Sequence, residues 1–425
     1  MSKWTEECIK EFADSFAGGT PSRSRSDYYL NGTIPWISSS EVNQPYIADT
    51  VEKITQLGFE NSSAKWIPKN SVLVAMYGAT AGQVSKNLID ATSNQAVLSL
   101  VPKKDKIHGD FLYYQVKQNK ESILFLAQGS GQPNLSKDLI DNYKIKAPTD
   151  VKEQLKISKI LFTADLVIEK TQAVITKYKA IKQGMLHDLF TRGINIHTSK
   201  LRPKYEDAPE FYKESKLGMV PQEWEVKTVD SVAEIINGGT PATHVKEYWN
   251  GEIPWLSVDD FNNGERFVSS AIKKITTEGL KESSTNMLLP GMIIISARGT
   301  VGVISQLKFP MAFNQSCYGL NSINSSVKND FLYYFLVYYK QQVGFTSFGS
   351  VFNTITRNYF DTMFIPLNLQ SQEQDLIVER LSSIDEKLNT EKNYLYKLQQ
   401  IKAGLMDDLL SEKKEVISKE ETHNG

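Results

Sequence analysis

The sequence predicts an α/β (α+β) chain written twice: two globular domains related by a pseudo-twofold axis and separated by two long antiparallel coiled-coil helices. Three observations carry this expectation. Motifs in the first half return 220 residues later, each copy begins rich in glycine and aromatics, and each copy ends in a heptad-patterned stretch where glycine is scarce. A length of 425 residues suits about two to four domains, enough for a full core in each copy.

The repeat is read from identical residues in one register. Gly18-Gly19-Thr20-Pro21 returns as Gly238-Gly239-Thr240-Pro241, Trp4 as Trp224, Thr80 and Gly82 as Thr300 and Gly302, and Asn94-Gln95 as Asn314-Gln315. Asp110-Phe111-Leu112-Tyr113-Tyr114 returns as Asp330-Phe331-Leu332-Tyr333-Tyr334, and Gly129-Ser130 as Gly349-Ser350. With a slip of one residue, Asn31-Gly32 and Ile34-Pro35-Trp36 match Asn250-Gly251 and Ile253-Pro254-Trp255. A period of this size is a domain plus an appendage, too long for a solenoid repeat.

Taken in order, residues 1–150 form the first domain. Short β-branched stretches such as Ser71 to Tyr77 read as strands between turns, and the segment opened by Asp110 has helical spacing. Residues 151–192 form the first long helix. Its apolar stripe runs through Ile157, Leu161, Ala164, Ile168, Thr171, Ile175, Tyr178, Lys182, Met185 and Leu189, in alternating steps of four and three. Residues 193–220 form a linker that opens with Gly193, and residues 221–366 repeat the first domain, with Met292 to Ala297 as the counterpart strand. Residues 367–411 form the second helix, with its stripe at Ile377, Leu381, Ile384, Leu388, Glu391, Leu395, Leu398, Lys402, Leu405 and Leu409. Pro148 and Pro366 stand upstream of the two helices, and residues 412–425 read as a flexible tail.

Composition removes several functions. The 48 basic and 49 acidic residues nearly cancel, so a polyanion site has to be built locally. Two cysteines make no disulfide scaffold and fit a reducing compartment, and neither a signal peptide nor a membrane span is visible, so a cytoplasmic protein is expected. Gly78-Ala79-Thr80-Ala81-Gly82 and Gly129-Ser130-Gly131-Gln132 lack the Gly-Lys-Ser/Thr of a phosphate loop. The five histidines have no repeat partners and no metal spacing, and no nucleophile motif occurs. No catalytic constellation repeats in both halves, and a binding protein is expected rather than an enzyme.

The candidate binding residues lie where the copies diverge. After the shared Gly-Gly-Thr-Pro, the first copy continues Ser22-Arg23-Ser24-Arg25 and the second continues Ala242-Thr243-His244-Val245-Lys246. A kept scaffold with a changed polar insert suits two related sites that read different ligands. Arginine can fork onto guanine or phosphate, and Ser, Thr, His and Lys can serve base edge or backbone. The DNA-contact set expected is therefore Ser22, Arg23, Ser24, Arg25, Thr243, His244 and Lys246, joined by the loop cations Arg298, which stands opposite Gly78, and Arg357. Asn94-Gln95 and Asn314-Gln315 are the same in both copies and are expected to hold structure rather than to discriminate sequence.

The ordered set of Gly-Gly-Thr-Pro, Ile-Pro-Trp, Thr-x-Gly and Asn-Gln, present in both copies, resembles the specificity subunits of type I restriction-modification enzymes. Gly129 to Leu139, ahead of a long helix, and Leu217-Gly218-Met219-Val220-Pro221, ahead of Trp224, belong to the same resemblance. It covers the chain apart from the tail after Ser411. It implies two target-recognition domains, each reading one half of a split double-stranded DNA target, with the helices as a ruler between them. It also implies assembly with two modification (methyltransferase) subunits that carry S-adenosylmethionine and methylate adenine, and with two restriction (motor-nuclease) subunits that use ATP and magnesium. None of these cofactors would belong to this chain. Two other readings remain at this level: a specificity protein for a lone DNA methyltransferase, and a carbohydrate-binding module with a helical stalk that uses Tyr28, Tyr29, Trp36, Tyr248, Trp249 and Trp255.

Overall fold

A computed structural model describes residues 3–127, 134–323, 327–342, 354–368, 371–411 and 413. The Gly129-Ser130 and Gly349-Ser350 repeat and, Lys413 apart, the expected tail lie outside the described residues. The chain divides into two compact units, Met1–Gln172 with Asn393–Gly425, and Ala173–Lys392. Both boundaries fall inside the long helices rather than at their ends. Each unit therefore holds one globular domain, the first half of the helix that follows it and the second half of the other helix.

In the first unit a five-stranded sheet runs in the order Ala13–Ala17, Val97–Pro102, Val72–Ala75, Val84–Asn87, Tyr46–Ile47. Its pairings are antiparallel except the last. The β-branched strand Val72–Ala75 is buried along its whole length, as a central strand covered on both faces must be. A three-stranded sheet, Glu52–Ile54, Ile34–Ile37, Thr92–Ser93, carries the Ile-Pro-Trp motif. Trp4–Cys8 pairs antiparallel with Lys144–Pro148, so the first and last strands of the domain lie side by side.

The second unit repeats this plan. Its five-stranded sheet runs Ala233–Asn237, Cys317–Ser322, Ile293–Ser296, Ile304–Leu307, Phe267–Val268, and Trp224–Thr228 pairs with Phe364–Asn368. Its smaller sheet, Lys273–Ile275, Trp249–Leu256, Met311–Phe313, Met287–Leu288, has one strand more. The counterpart of Leu288, which pairs with Met311, is Ile67 in the first unit, and it makes only an isolated bridge to Ala91.

The repeated Phe-Leu-Tyr-Tyr lies in helices Gly109–Gln118 and Asn329–Gln342, and all four residues are buried in both copies. A surface helix buries a stripe, whereas burial of consecutive positions means cover on opposite sides. The sheet supplies one side. The long helices supply the other: the Tyr114 hydroxyl donates to Asp165 at 2.8 Å, and the Tyr334 hydroxyl to Asp385 at 2.8 Å.

The long helices span Val151–Thr191 and Ser371–Leu409, each about 60 Å at 1.5 Å per residue. Every expected stripe position on both helices is buried or half-buried, including the polar ones. Within each unit the two helical segments run antiparallel. In the first, Ile157 and Leu161 share a core with Met406, Leu409 and Leu410, while Asp165 pairs with Lys402 farther along. In the second, Leu186, Leu189 and Phe190 share a core with Ile377 and Leu381, while Lys182 pairs with Asp385. The first turn of each helix is stitched to its domain by a buried amide. Gln154 accepts from the His108 N–H at 2.7 Å and donates to the Pro148 carbonyl at 2.7 Å, and Gln374 accepts from the Lys328 N–H at 3.1 Å and donates to the Asn368 carbonyl at 3.0 Å.

The stretch expected as a linker folds into two hairpins, Ile194–Asn195 with Lys200–Leu201 and Tyr212–Ser215 with Gly218–Pro221. It is fastened to the second unit by Glu373, which is fully buried. That carboxylate accepts from both terminal nitrogens of Arg202 at 2.6 and 3.1 Å, from the Ile194 N–H at 2.6 Å, from the Trp224 indole at 3.1 Å and from the Asn368 amide. Burying a charge is costly unless its lone pairs are all used, and here they are. Its repeat counterpart Glu153 is half-buried and has no side-chain partner among the described residues.

Cys8 and Cys317 are both free, one half-buried and one buried. Burial pushes the Cys317 thiol up to about 12, so it stays protonated and unreactive while the fold is intact. Among the described residues no helix is long and apolar enough to cross a membrane. Glu373→Gln, which removes the charge opposite buried Arg202, is expected to cost about 3 kcal/mol in urea unfolding of the second unit, while Glu153→Gln stays within about 0.5 kcal/mol.

Candidate nucleic-acid interface

Three separately spaced motifs close into one structure in each unit. The strands Ala13–Ala17 and Ala233–Asn237 end in Gly-Gly because backbone from two other segments presses against them. A Cβ on Gly18 would lie 2.1 Å from the Ser93 carbonyl oxygen, and one on Gly238 would lie 2.0 Å from that of Asn314. The indole of Trp36 donates to the Gly19 carbonyl at 2.9 Å, and that of Trp255 to the Gly239 carbonyl at 3.0 Å. The hydroxyls of Thr20 and Thr240 donate to the side-chain carbonyls of Gln95 and Gln315. Asn94 and Asn314 turn the chain beside them by accepting from the N–H groups of Ala96 and Ser316 at 3.0 and 3.1 Å. Gly-Gly-Thr-Pro, Ile-Pro-Trp and Asn-Gln are thus the parts of one pedestal. What stands on it is the loop where the copies differ.

In the first unit both cations of that loop are paired, Arg25 close by in sequence and Arg23 with the neighbouring strand. Ser22, Arg23, Ser24 and Arg25 are all exposed, and the Ser22 and Ser24 hydroxyls lie 2.9 Å apart. Arg23 forks onto Glu52 at 2.7 and 2.8 Å, and its guanidinium lies 4.6 Å from the Tyr29 ring centre and 5.0 Å from that of Trp36. Arg25 forks onto Asp27 at 2.9 and 2.6 Å and lies 4.9 Å from the Tyr28 ring centre. The hydrogen bond from Arg23 holds the Glu52 carboxyl below its ordinary range, and Arg25 does the same for Asp27. The platform of Tyr28, Tyr29 and Trp36 is occupied by these cations, which gives the aromatic residues a use other than stacking a sugar.

In the second unit the loop is open. Thr243, His244 and Lys246 are exposed and have no side-chain partner among the described residues. Arg298 is exposed on the turn between Ile293–Ser296 and Ile304–Leu307, likewise without a side-chain partner, and its N–H reaches the Ser316 carbonyl at 3.3 Å. Because Gln315, next to Ser316, holds Thr240, Arg298 shares a sheet end with the Thr243–Lys246 loop. Its structural counterpart is Tyr77 rather than Gly78: Met76 and Ala297 make the same backbone bonds, to Ala96 and Ser316, and the left-handed glycine two residues on is Gly78 (φ +82°) in one copy and Gly299 (φ +73°) in the other. Arg357 is placed differently. It lines a cavity of about 610 Å³ with Asp230, Glu234 and Asp361, beside the start of strand Ala233–Asn237, whereas the loop leaves the end of that strand. The three carboxylates that share this cavity make Arg357 the least suited of the set to approach a polyanion.

Two groups with polar roles were not singled out from sequence. Glu52 and Asp27 are ordinary surface carboxylates until the fold brings arginines to them. Arg266 anchors the second unit's domain to its helix, donating to Gln306 at 2.7 Å, to the Tyr334 hydroxyl at 3.0 Å and to Ser382 at 2.9 Å, and pairing with Asp330. In the first unit the counterpart of Gln306 is Lys86, buried and paired with Asp110, the counterpart of Asp330. One cation is kept at each site, delivered from a different strand. Comparing the two copies at positions 86 and 306 is the signal that a missing lysine needed replacing.

The sequence pattern described as the type I restriction modification DNA specificity domain matches residues 1–177 and 221–400. The chain is 25% identical over 423 residues to the type I restriction enzyme MjaVIII specificity subunit of Methanocaldococcus jannaschii, covering 96% of this chain and 92% of that one. In fold it is similar to the crystal structure of the type I restriction-modification S subunit from M. genitalium, with TM-score 0.59, 17% identity and 96% of each chain covered. A second solved chain, described for complex assembly and conformational transition of the type I R-M system, gives TM-score 0.54 at 16% identity, covering 97% of this chain and 98% of that one.

Glu52→Gln removes the charge that neutralises Arg23 without removing the hydrogen-bonding shape. If that loop faces DNA, the slope of log affinity against log salt on non-specific duplex steepens by about 0.9, one phosphate contact. The measurement is fluorescence anisotropy of the assembled complex across a salt series, and an unchanged slope places Arg23 away from DNA.

Proposed function

The chain belongs to the type I restriction-modification DNA specificity family, and from that membership we propose that it reads a bipartite, asymmetric target, one half through each globular domain. The observation that carries this reading is the duplicated pedestal bearing unlike loops. The base that holds the loop is the same to the hydrogen bond in both units, while its cargo changes from Ser22-Arg23-Ser24-Arg25 to Thr243-His244-Val245-Lys246. Two like sites with unlike contact chemistry call for two unlike half-sites rather than a palindrome.

On this reading phosphate contacts from loop Lys and Arg fix the position of each domain, and base-edge contacts from the divergent loops choose sequence. Ser22, Arg23, Ser24, Arg25, Thr243, His244, Lys246 and Arg298 remain the contact set. Arg357 stays in it only as a peripheral phosphate contact, given its acidic neighbours. The long helices act as the ruler between half-sites, and their exposed faces dock two modification subunits and two restriction subunits. Apolar residues exposed on those helices, Phe162 and Ile401 in the first unit and Ile181 in the second, support such docking.

The chain itself is a non-catalytic, cytoplasmic reader. Adenine methylation with S-adenosylmethionine, and ATP- and magnesium-dependent translocation and cleavage, belong to its partners. The absence of a repeated catalytic constellation from the sequence supports this division of labour.

Mapping methylated adenines in the source genome should return a split, asymmetric motif; a palindromic motif would sink the two-reader proposal. Exchanging residues 22–130 for those of another family member should change one half of that motif and leave the other. Inserting one heptad into both long helices should alter the spacer and leave both half-sites unchanged, and an unaltered spacer rules out the ruler.

A further inference from the structure

The apolar stripes of the long helices leave one question of position open. A heptad pattern that slides by seven residues, about 10 Å, again sets apolar residues against apolar residues, so hydrophobic packing alone discriminates weakly between registers. Among the polar stripe positions, the two lysines, each with an ion-pair partner on the other helix, break that degeneracy. Lys182 and Lys402 stand in the stripes of the first and second helix, and each is mostly buried, with side chains 18% and 15% exposed.

Each lysine pairs with one carboxylate, and the two sites share the same three residues, with Arg266 reaching the Tyr334 hydroxyl in the second unit as well. In the first unit Lys402 pairs with one oxygen of Asp165, whose other oxygen accepts from the Tyr114 hydroxyl at 2.8 Å. In the second unit Lys182 pairs with one oxygen of Asp385, whose other oxygen accepts from the Tyr334 hydroxyl at 2.8 Å. All three residues recur 220 positions apart: Tyr114 with Tyr334, Asp165 with Asp385, Lys182 with Lys402. The carboxylate thus joins three elements of its unit, one long helix that carries it, the other long helix through lysine, and the globular domain through tyrosine. Burial pushes both phenols well above the usual tyrosine range, so they remain donors at any physiological pH.

We infer that Asp165 and Asp385 are positioning residues that lock the register of the helix pair within their own units, seat each domain in that register, and so restrict the complex to one spacer length. A slip by one heptad would carry each lysine away from its carboxylate and leave partly buried charges unpaired, which a purely apolar seam would not penalise. Spacer tolerance, and not stability alone, is the property these residues control. This inference rests on the ruler reading above.

The test uses the full chain assembled with its modification subunits and DNA duplexes that carry the mapped half-sites at the native spacer and at spacers changed by one to four base pairs. A 10 Å slip corresponds to about three base pairs. The native complex is expected to methylate the native spacer at least tenfold faster than the others. The chain with Asp165→Leu, Lys402→Leu, Asp385→Leu and Lys182→Leu, whose seam has lost both ion pairs, should keep methylation at the native spacer and lose most of that tenfold preference. Reversing the pairs, with Asp165→Lys and Lys402→Asp and likewise Asp385→Lys and Lys182→Asp, should restore it.

If the chain with the four leucine substitutions fails to assemble, Asp165→Asn with Asp385→Asn reads the same quantity. Native spacer preference in either variant, with only the melting temperature changed, overturns the lock and leaves the ruler standing. The heptad insertion described above separates the two: a spacer that ignores it defeats the ruler, and the lock falls with it.

Discussion

A helix of about forty residues carries an apolar stripe farther than one small domain can cover, and the architecture of this chain answers that constraint. The stripe is covered in two instalments. The first half of each helix packs in the unit of the domain that precedes it, and the second half packs in the other unit, against the partner helix. Helices, sheets and domain ends all conform to this arrangement. The short helix with Phe-Leu-Tyr-Tyr is buried on opposite sides because it lies between sheet and stripe. The buried glutamines at the first turn of each long helix fix where the stripe begins.

The two copies show which interactions the fold needs and which it can exchange. The pedestal is kept in full, since each of its parts meets another: two glycines with no room for a Cβ, an indole on a carbonyl, a threonine on a glutamine. The cation beside Asp110 or Asp330 is kept in charge but not in place, supplied by Lys86 in one unit and Arg266 in the other. The buried carboxylate at Glu373 has no working equivalent at Glu153 among the described residues, because Glu373 gathers its partners from the folded connector and Glu153 meets no such segment there. Symmetry therefore holds where the sheet and stripe impose it and lapses where one unit carries something extra.

Much of this was legible in the sequence, for a physical reason. Heptad spacing places residues on one face of a helix whatever lies beside it, so the stripe positions emerged correctly down to the polar ones. Identity between copies marked the pedestal, because close backbone approach tolerates no substitution. The connector was read only as a linker, since strands of two and four residues in a charged, polar segment leave no clear periodic signal. The ion pairs of Arg23 and Arg25 were invisible, because exposed charges follow no period and pair with whatever the fold brings near. Arg357 was chosen for its charge and its loop, and neither property reveals the three carboxylates that share its cavity.

The discontinuity of the first unit also bears on how the chain comes to be folded. Its helix pair is incomplete without residues beyond 392: Asp165 waits for Lys402, and Gln115 donates to the carbonyl of Leu410 at 2.9 Å, 295 residues along the chain. The second unit is continuous from Ala173 to Lys392. On a ribosome, the domain that emerges first is thus the last to bury its stripe. Until then it presents Ile157 and Leu161 on a helix without its mate, a sticky surface for as long as the remaining half of the chain takes to be made.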